Sequence, residues 1–174
     1  LVDQAKLLFP ESVIPDGGID SIGFDAVQHE FMLAVTKTAK YTNGAIYAID
    51  AESRQVVHKY AISVPCNPSG VTAVSSMATV AVACAANNSL ILHFNGDTAR
   101  SIAVDRASGT DSAEYWNGFY FFAGGTHLTV ANPDGKMVQQ ITVGTNSHNV
   151  IVDRSTGKVY VPQRGFGLVA YSAQ

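Results

Sequence analysis

At 174 residues the chain is long enough for one sizeable core, since a domain of this length removes roughly 70% of its unfolded surface from water. Only 14% of the residues are charged, and 11 basic against 14 acidic side chains leave a formal charge of -3, too weak a field to draw phosphate backbones. No apolar run reaches the roughly 20 residues of a membrane-spanning helix, so a soluble protein is expected, with neither nucleic acid nor membrane insertion among its partners.

Apolar residues seldom recur at helical spacing, whereas short alternating or solidly apolar runs appear throughout, which predicts an all-β chain. The runs at 22–24, 31–35, 45–49 and 56–62 form a first group of four strand candidates divided by turn residues. A second group follows at 71–74, 78–82, 90–94 and 101–104, with turns at Ser75-Ser76 and Asn95-Gly96-Asp97. The third reads 113–116, 119–122, 128–131 and 137–143, broken by the hairpin signals Asn117-Gly118 and Asn132-Pro133-Asp134-Gly135. The fourth has strands at 149–152, 158–161 and 168–171, then stops one strand short.

Four strands per period of roughly 36 to 50 residues is the signature of a β-propeller, whose blades bury their faces against one another. About four four-stranded antiparallel blades are expected, at 19–63, 64–104, 105–144 and 145–174, either as a whole domain or as half of a larger ring. Residues 1–18 would complete the last blade, since Lys6-Leu7-Leu8-Phe9 and Ser12-Val13-Ile14 read as its missing strand and Pro15-Asp16-Gly17-Gly18 as the exit loop. A second chain completing the propeller, or a homo-oligomer, is the alternative. The first residues, Leu1-Val2-Asp3, lack an initiator Met and suggest a processed, excised or incomplete chain.

The stretch Ser147-His148-Asn149-Val150-Ile151-Val152-Asp153-Arg154-Ser155-Thr156-Gly157-Lys158-Val159-Tyr160-Val161 resembles the blade repeat of YVTN-type propellers, a strand, an Asp-x-x-Thr-Gly-Lys turn and a Val-Tyr-Val strand. The first blade matches fairly and the second and third loosely. The related lactonases, cycloisomerases and surface-layer scaffolds imply a propeller far more firmly than an activity. The resemblance also implies that ligands sit on the face carrying the loops that lead into each inner strand and those that join strands two and three.

On that face the sequence offers Asp20, Asn67, Asp111, His148, Asn149 and Arg164 as ligand-binding candidates. His148 and Arg164 are the candidates for catalysis, His148 as a general base, although a His-Asn pair in a loop also serves to satisfy turn backbone groups. No cofactor is expected. The weaker alternative is a divalent cation such as calcium in the channel, held by a ring of hard oxygen ligands from Asp20, Asn67, Asp111 and Asn149. The histidines do not cluster, so no histidine metal site is expected. A Gly-x-Ser-x-Gly elbow is absent, and Gly124-Gly125 precedes no helix that could cradle phosphate. Tyr41, Trp116 and Phe166 are the aromatic candidates for a carbohydrate or small-molecule ligand.

Cys66 and Cys84 bracket the first two strands of the second blade, and a disulfide between them would close a loop of about 19 residues and contribute roughly 3 kcal/mol. Two buried thiols are the other reading. Asn87-Asn88-Ser89 is a glycosylation sequon with Asn87 as acceptor. Together these features suggest a secreted or cell-surface binding or assembly module without catalysis of its own. A lactonase- or cycloisomerase-like enzyme working in the central channel is the alternative.

Overall fold

A computed structural model describes residues 18–38 and 40–172. All fifteen expected strands are present. Blade one comprises β1 (Ile19–Asp25), β2 (Glu30–Val35), β3 (Ala45–Asp50) and β4 (Val56–Ala61). Blade two comprises β5 (Pro68–Val74), β6 (Thr79–Cys84), β7 (Asn88–Asn95) and β8 (Thr98–Ser108). Blade three comprises β9 (Ser112–Trp116), β10 (Phe119–Gly124), β11 (His127–Ala131) and β12 (Met137–Thr142). Blade four has β13 (Ile151–Asp153), β14 (Lys158–Gln163) and β15 (Gly167–Tyr171). Within each blade the strands lie in chain order and pair antiparallel, giving three four-stranded sheets and one three-stranded sheet.

β3 and β6 are buried on both faces of their sheets, which is why they read as continuous hydrophobic runs. Met32, Ile46 and Tyr60 of blade one interdigitate with Val71, Val82 and Leu92 of blade two. Ala81 and Ile91 of blade two meet Tyr120 and Phe122 of blade three, where the Tyr120 hydroxyl and Thr79 Oγ1 share a hydrogen bond of 2.8 Å across the seam. Phe121 and Leu128 of blade three pack on Val152, Val159 and Val161 of blade four. Packing thus runs one to two, two to three and three to four, while apolar side chains on the two end faces, Ile22 of blade one and Ile151 of blade four among them, remain exposed. The blades form an open arc, a partial propeller.

Two departures from the sequence reading bear on how the blades meet. β8 continues to Ser108 rather than ending near 104, because its register slips between Leu90 and Asn88, letting Asp105 donate its backbone N–H to Gly135 of blade three. Asn149 and Val150 lie before β13 rather than in it, since Asn149 Oδ1 takes the Val150 N–H that a strand would spend on its neighbour. Blade four shows three strands; the expected completing segment falls on residues 1–17, outside the described residues, apart from Gly18, whose carbonyl accepts from Thr36 at the start of the arc.

Candidate functional site

The four inner strands β1, β5, β9 and β13 begin at one end of the arc, the end that also carries the β2–β3, β6–β7, β10–β11 and β14–β15 loops. The residues at their starts converge on a cleft of about 430 Å³, within the range of small-molecule sites. Each blade contributes polar groups: Asp20 and Ser21 from blade one, Ser69 from blade two, Asp111, Ser112 and Glu114 from blade three, and His148 and Asn149 from blade four.

Close approach of the inner strands makes this convergence possible. Gly70 in β5 faces the backbone of the next blade so tightly that a Cβ there would lie 2.5 Å from the Asp111 carbonyl oxygen and 2.8 Å from Ser112 Cα. Beside it, the buried Ser69 hydroxyl lies within hydrogen-bonding distance of the Thr110 carbonyl at 2.8 Å, and Thr72 Oγ1 donates to the Ala113 carbonyl at 2.7 Å. These bonds stitch blade two to blade three along the channel.

Three side-chain links repeat this between blades three and four. His148 Nδ1 lies 2.7 Å from Asp111 Oδ2, Ser112 Oγ donates to Asn149 Oδ1 at 2.9 Å, and Arg154 donates to Glu114 Oε1 at 2.9 Å. Glu114 is thereby occupied. Asp20 keeps its carboxylate at the opposite wall, where burial, and secondly the negative charge of Asp111, raise its pKa above the ordinary carboxylate value. The lining is therefore rich in acceptors and short of fixed positive charge, so it complements a ligand that brings hydrogen-bond donors or a cation.

Of the six binding candidates, Asp20, Asp111, His148 and Asn149 share this cleft. Arg164 does not. It lies in an adjoining open depression with Asn146, Gln163 and Gly167, and His148 borders both spaces. Asn67 stays out of the lining because its backbone is committed to the loops beside the cysteines: its N–H donates to Asn43 and its carbonyl accepts from Ala85, with a left-handed φ of 53°. The four-oxygen ring drawn from the sequence is consequently not assembled. Among the described residues, no group of three or more His, Cys, Asp or Glu could hold a metal ion.

Cys66 and Cys84 are bonded, with both cysteines buried, next to the Pro68–Cys84 pairing that starts the β5–β6 ladder. Asn87 is exposed at the tip of the β6–β7 loop. Its sequon partner Ser89 is buried, donating to the Ala107 carbonyl and bonding Thr110, so that hydroxyl also serves the fold. The aromatic candidates do not form one surface. Tyr41 packs edge-on against Tyr47 in the β2–β3 loop of blade one, Phe166 is exposed on the β14–β15 loop, and Trp116 lies at the far end of β9 against Gly157.

The Glu114–Arg154 link was not legible in the sequence. Its only sequence signal is an acid at the middle of an inner strand, where a dry packing residue would be ordinary.

No family profile and no curated protein matches the sequence. Solved structures do match in fold. A chain of hydrazine synthase from Kuenenia stuttgartiensis superposes with a TM-score of 0.71 at 10% identity, over 98% of this chain and 49% of that one. The Cps50 (Swd1) β-propeller domain of Myceliophteria thermophila superposes with a TM-score of 0.70 at 8% identity, over 90% of this chain and 53% of that one. Identities this low show the propeller fold alone, and the chain spans about half the length of each.

Proposed function

We propose that the chain is a ligand-binding arc of a propeller, without catalysis of its own, that takes a small polar ligand bearing an ammonium or several hydroxyl donors. The supporting observation is the convergence of Asp20, Asp111, Ser112, His148 and Asn149, from three of the four blades, on one cleft. Its acceptor surplus favours donor-rich ligands over anions. A secreted or cell-surface setting is compatible with the Cys66–Cys84 bridge. A YVTN-type repeat is supported by the Asp153 turn, where Asp153 accepts from Ser155 and Thr156 and Gly157 turns at a φ of 70°.

The test is calorimetric titration with glucosamine, which carries an ammonium and hydroxyls, against glucose, which lacks the charge. The account expects glucosamine to bind more tightly and Asp20→Asn to erase the difference. Equal binding of both sugars, or none of either, would refute it.

One observation favours a second reading, a lactonase- or cycloisomerase-like enzyme. In the His148–Asp111 pair the carboxylate holds Nδ1, the arrangement that leaves Nε2 of a neutral imidazole free to accept a proton. Turnover of γ-butyrolactone in a pH-stat, lost in His148→Gln, would establish that reading in place of the first.

A further inference from the structure

Three carboxylates stand side by side across blade one, at the end away from the channel cleft: Asp25 of β1 pairs with Glu30 of β2, and Glu30 with Asp50 of β3. Residues directly opposite in a sheet share a face, and like charges placed this way cost stability unless something answers them. Asp50 is answered locally, since its Oδ1 accepts the Ser53 backbone N–H at 2.6 Å. The other two are not. Asp25 is only 1% exposed, and its Oδ1 accepts the backbone N–H groups of Val27 and Gln28 at 2.9 and 3.0 Å. Among the described residues, its Oδ2 has no hydrogen-bond partner, and neither does the Glu30 carboxylate. Buried carboxylate oxygens left in this state are costly.

Both unanswered acids line a cleft of about 190 Å³ between blades one and two, which shares no residue with the channel cleft. Burial raises the Glu30 pKa; His58 pulls it down, and Asp25 and Asp50 add to the rise. The remaining wall is apolar and aromatic: Met32 lies beside the Tyr60 ring, which stacks on Phe94 at 4.3 Å and on His58 at 5.6 Å. His58 is already committed, its Nδ1 lying 2.7 Å from Asp97 Oδ1 in the β7–β8 turn. No lysine or arginine lines the cleft, and none of the groupings of described His, Cys, Asp or Glu side chains could hold a metal ion. The free acceptors therefore call for a cation with an apolar body.

We propose that this inter-blade cleft is a second binding site, one that takes a primary alkylammonium group. An ammonium has three donors and no acceptor, which suits Asp25 Oδ2 and the Glu30 carboxylate, while its carbon chain lies on Met32, Tyr60 and Phe94. The cleft is smaller than the pockets that hold drug-sized ligands, so the chain is short. Hydroxyls on that chain would meet the apolar wall without partners, so an amino sugar suits the channel cleft and not this one.

The test is an NMR titration of the chain with n-butylammonium chloride, with n-butanol as the uncharged control and calcium chloride as the inorganic cation. Butylammonium alone is expected to shift the signals of Glu30, Met32, Tyr60 and Phe94. Its Kd should rise about tenfold or more in Glu30→Gln, and likewise in Asp25→Asn, which keeps the Oδ1 acceptor of the turn. Without ligand, Glu30→Gln is expected to raise the denaturation midpoint by relieving the row of like charges. Nα-acetyl-lysine methylamide in the same titration separates two sources of the group: tighter binding than butylammonium assigns a protein lysine, weaker binding a free amine, and either supports the site. Absence of these shifts, equal shifts with butanol or calcium, an affinity unchanged in both variants, or a midpoint lowered by Glu30→Gln would overturn the proposal.

Discussion

His148 of blade four reaches back across the channel wall to Asp111 of blade three, Nδ1 to Oδ2, at 2.7 Å. The pair is partly wet, with side chains 65% and 32% exposed, so its contribution to stability is that of a surface link, about 1 kcal/mol or less. Asp111→Asn should therefore leave the denaturation midpoint nearly unchanged while freeing the imidazole, which NMR would show as a new tautomer ratio at His148. A large loss of stability would mean that the pair holds the blades together instead.

Asp20 should respond to the same substitution. Its pKa is raised by burial and then by Asp111, so between its ordinary value and its folded one the native state holds the proton more tightly than the unfolded chain. Stability falls as pH rises through that window. Asp20→Asn is expected to remove this dependence, and Asp111→Asn to shrink it, in denaturation curves collected from acid to neutral pH.

Asp153 runs the other way. Hydrogen bonds from the Ser155 and Thr156 hydroxyls, aided by the Ser155 backbone, hold its carboxyl down to about 2. The stabilisation is present above the ordinary 3.8 and lost as pH falls through about 2. An NMR titration of the Asp153 carboxyl carbon should give that low midpoint, and Ser155→Ala should move it upward.

Gly157 closes the same turn. At a φ of +70°, a Cβ would lie 2.5 Å from Trp116 Cη2, so Gly157→Ala suffers both backbone strain and a clash with a packed ring. A loss of about 2 kcal/mol or more is expected in urea denaturation, accompanied by a change in Trp116 fluorescence.

Much of the fold was legible because each blade is local in sequence. Hairpin signals such as Asn117-Gly118 and runs such as Phe119-Tyr120-Phe121-Phe122 mark strands whose partners lie next in the chain. The site was legible only in part, because its geometry depends on contacts between blades. His148 and Asp111 lie on the expected face, but their meeting depends on how blade four is set against blade three, which neither residue's own stretch of sequence announces. Arg164 and Asn67 occupy equally plausible loop positions and point elsewhere, since loop direction follows backbone bonds that residue type does not announce.

The disulfide offers a simple check on the second blade. A closed loop of about 19 residues is worth roughly 3 kcal/mol, so the double substitution Cys66→Ala with Cys84→Ala should lower stability by about that amount while leaving the strand content intact by circular dichroism.

The most direct test of the channel as the binding site is a residue-resolved amide NMR map recorded during titration with glucosamine. The account predicts shifts confined to the starts of the inner strands, around Asp20, Asp111, Ser112, His148 and Asn149, and their loss in Asp20→Asn combined with Asp111→Asn. Shifts centred elsewhere, such as the apolar cleft beside Trp116, or shifts that survive the double substitution, would contradict it.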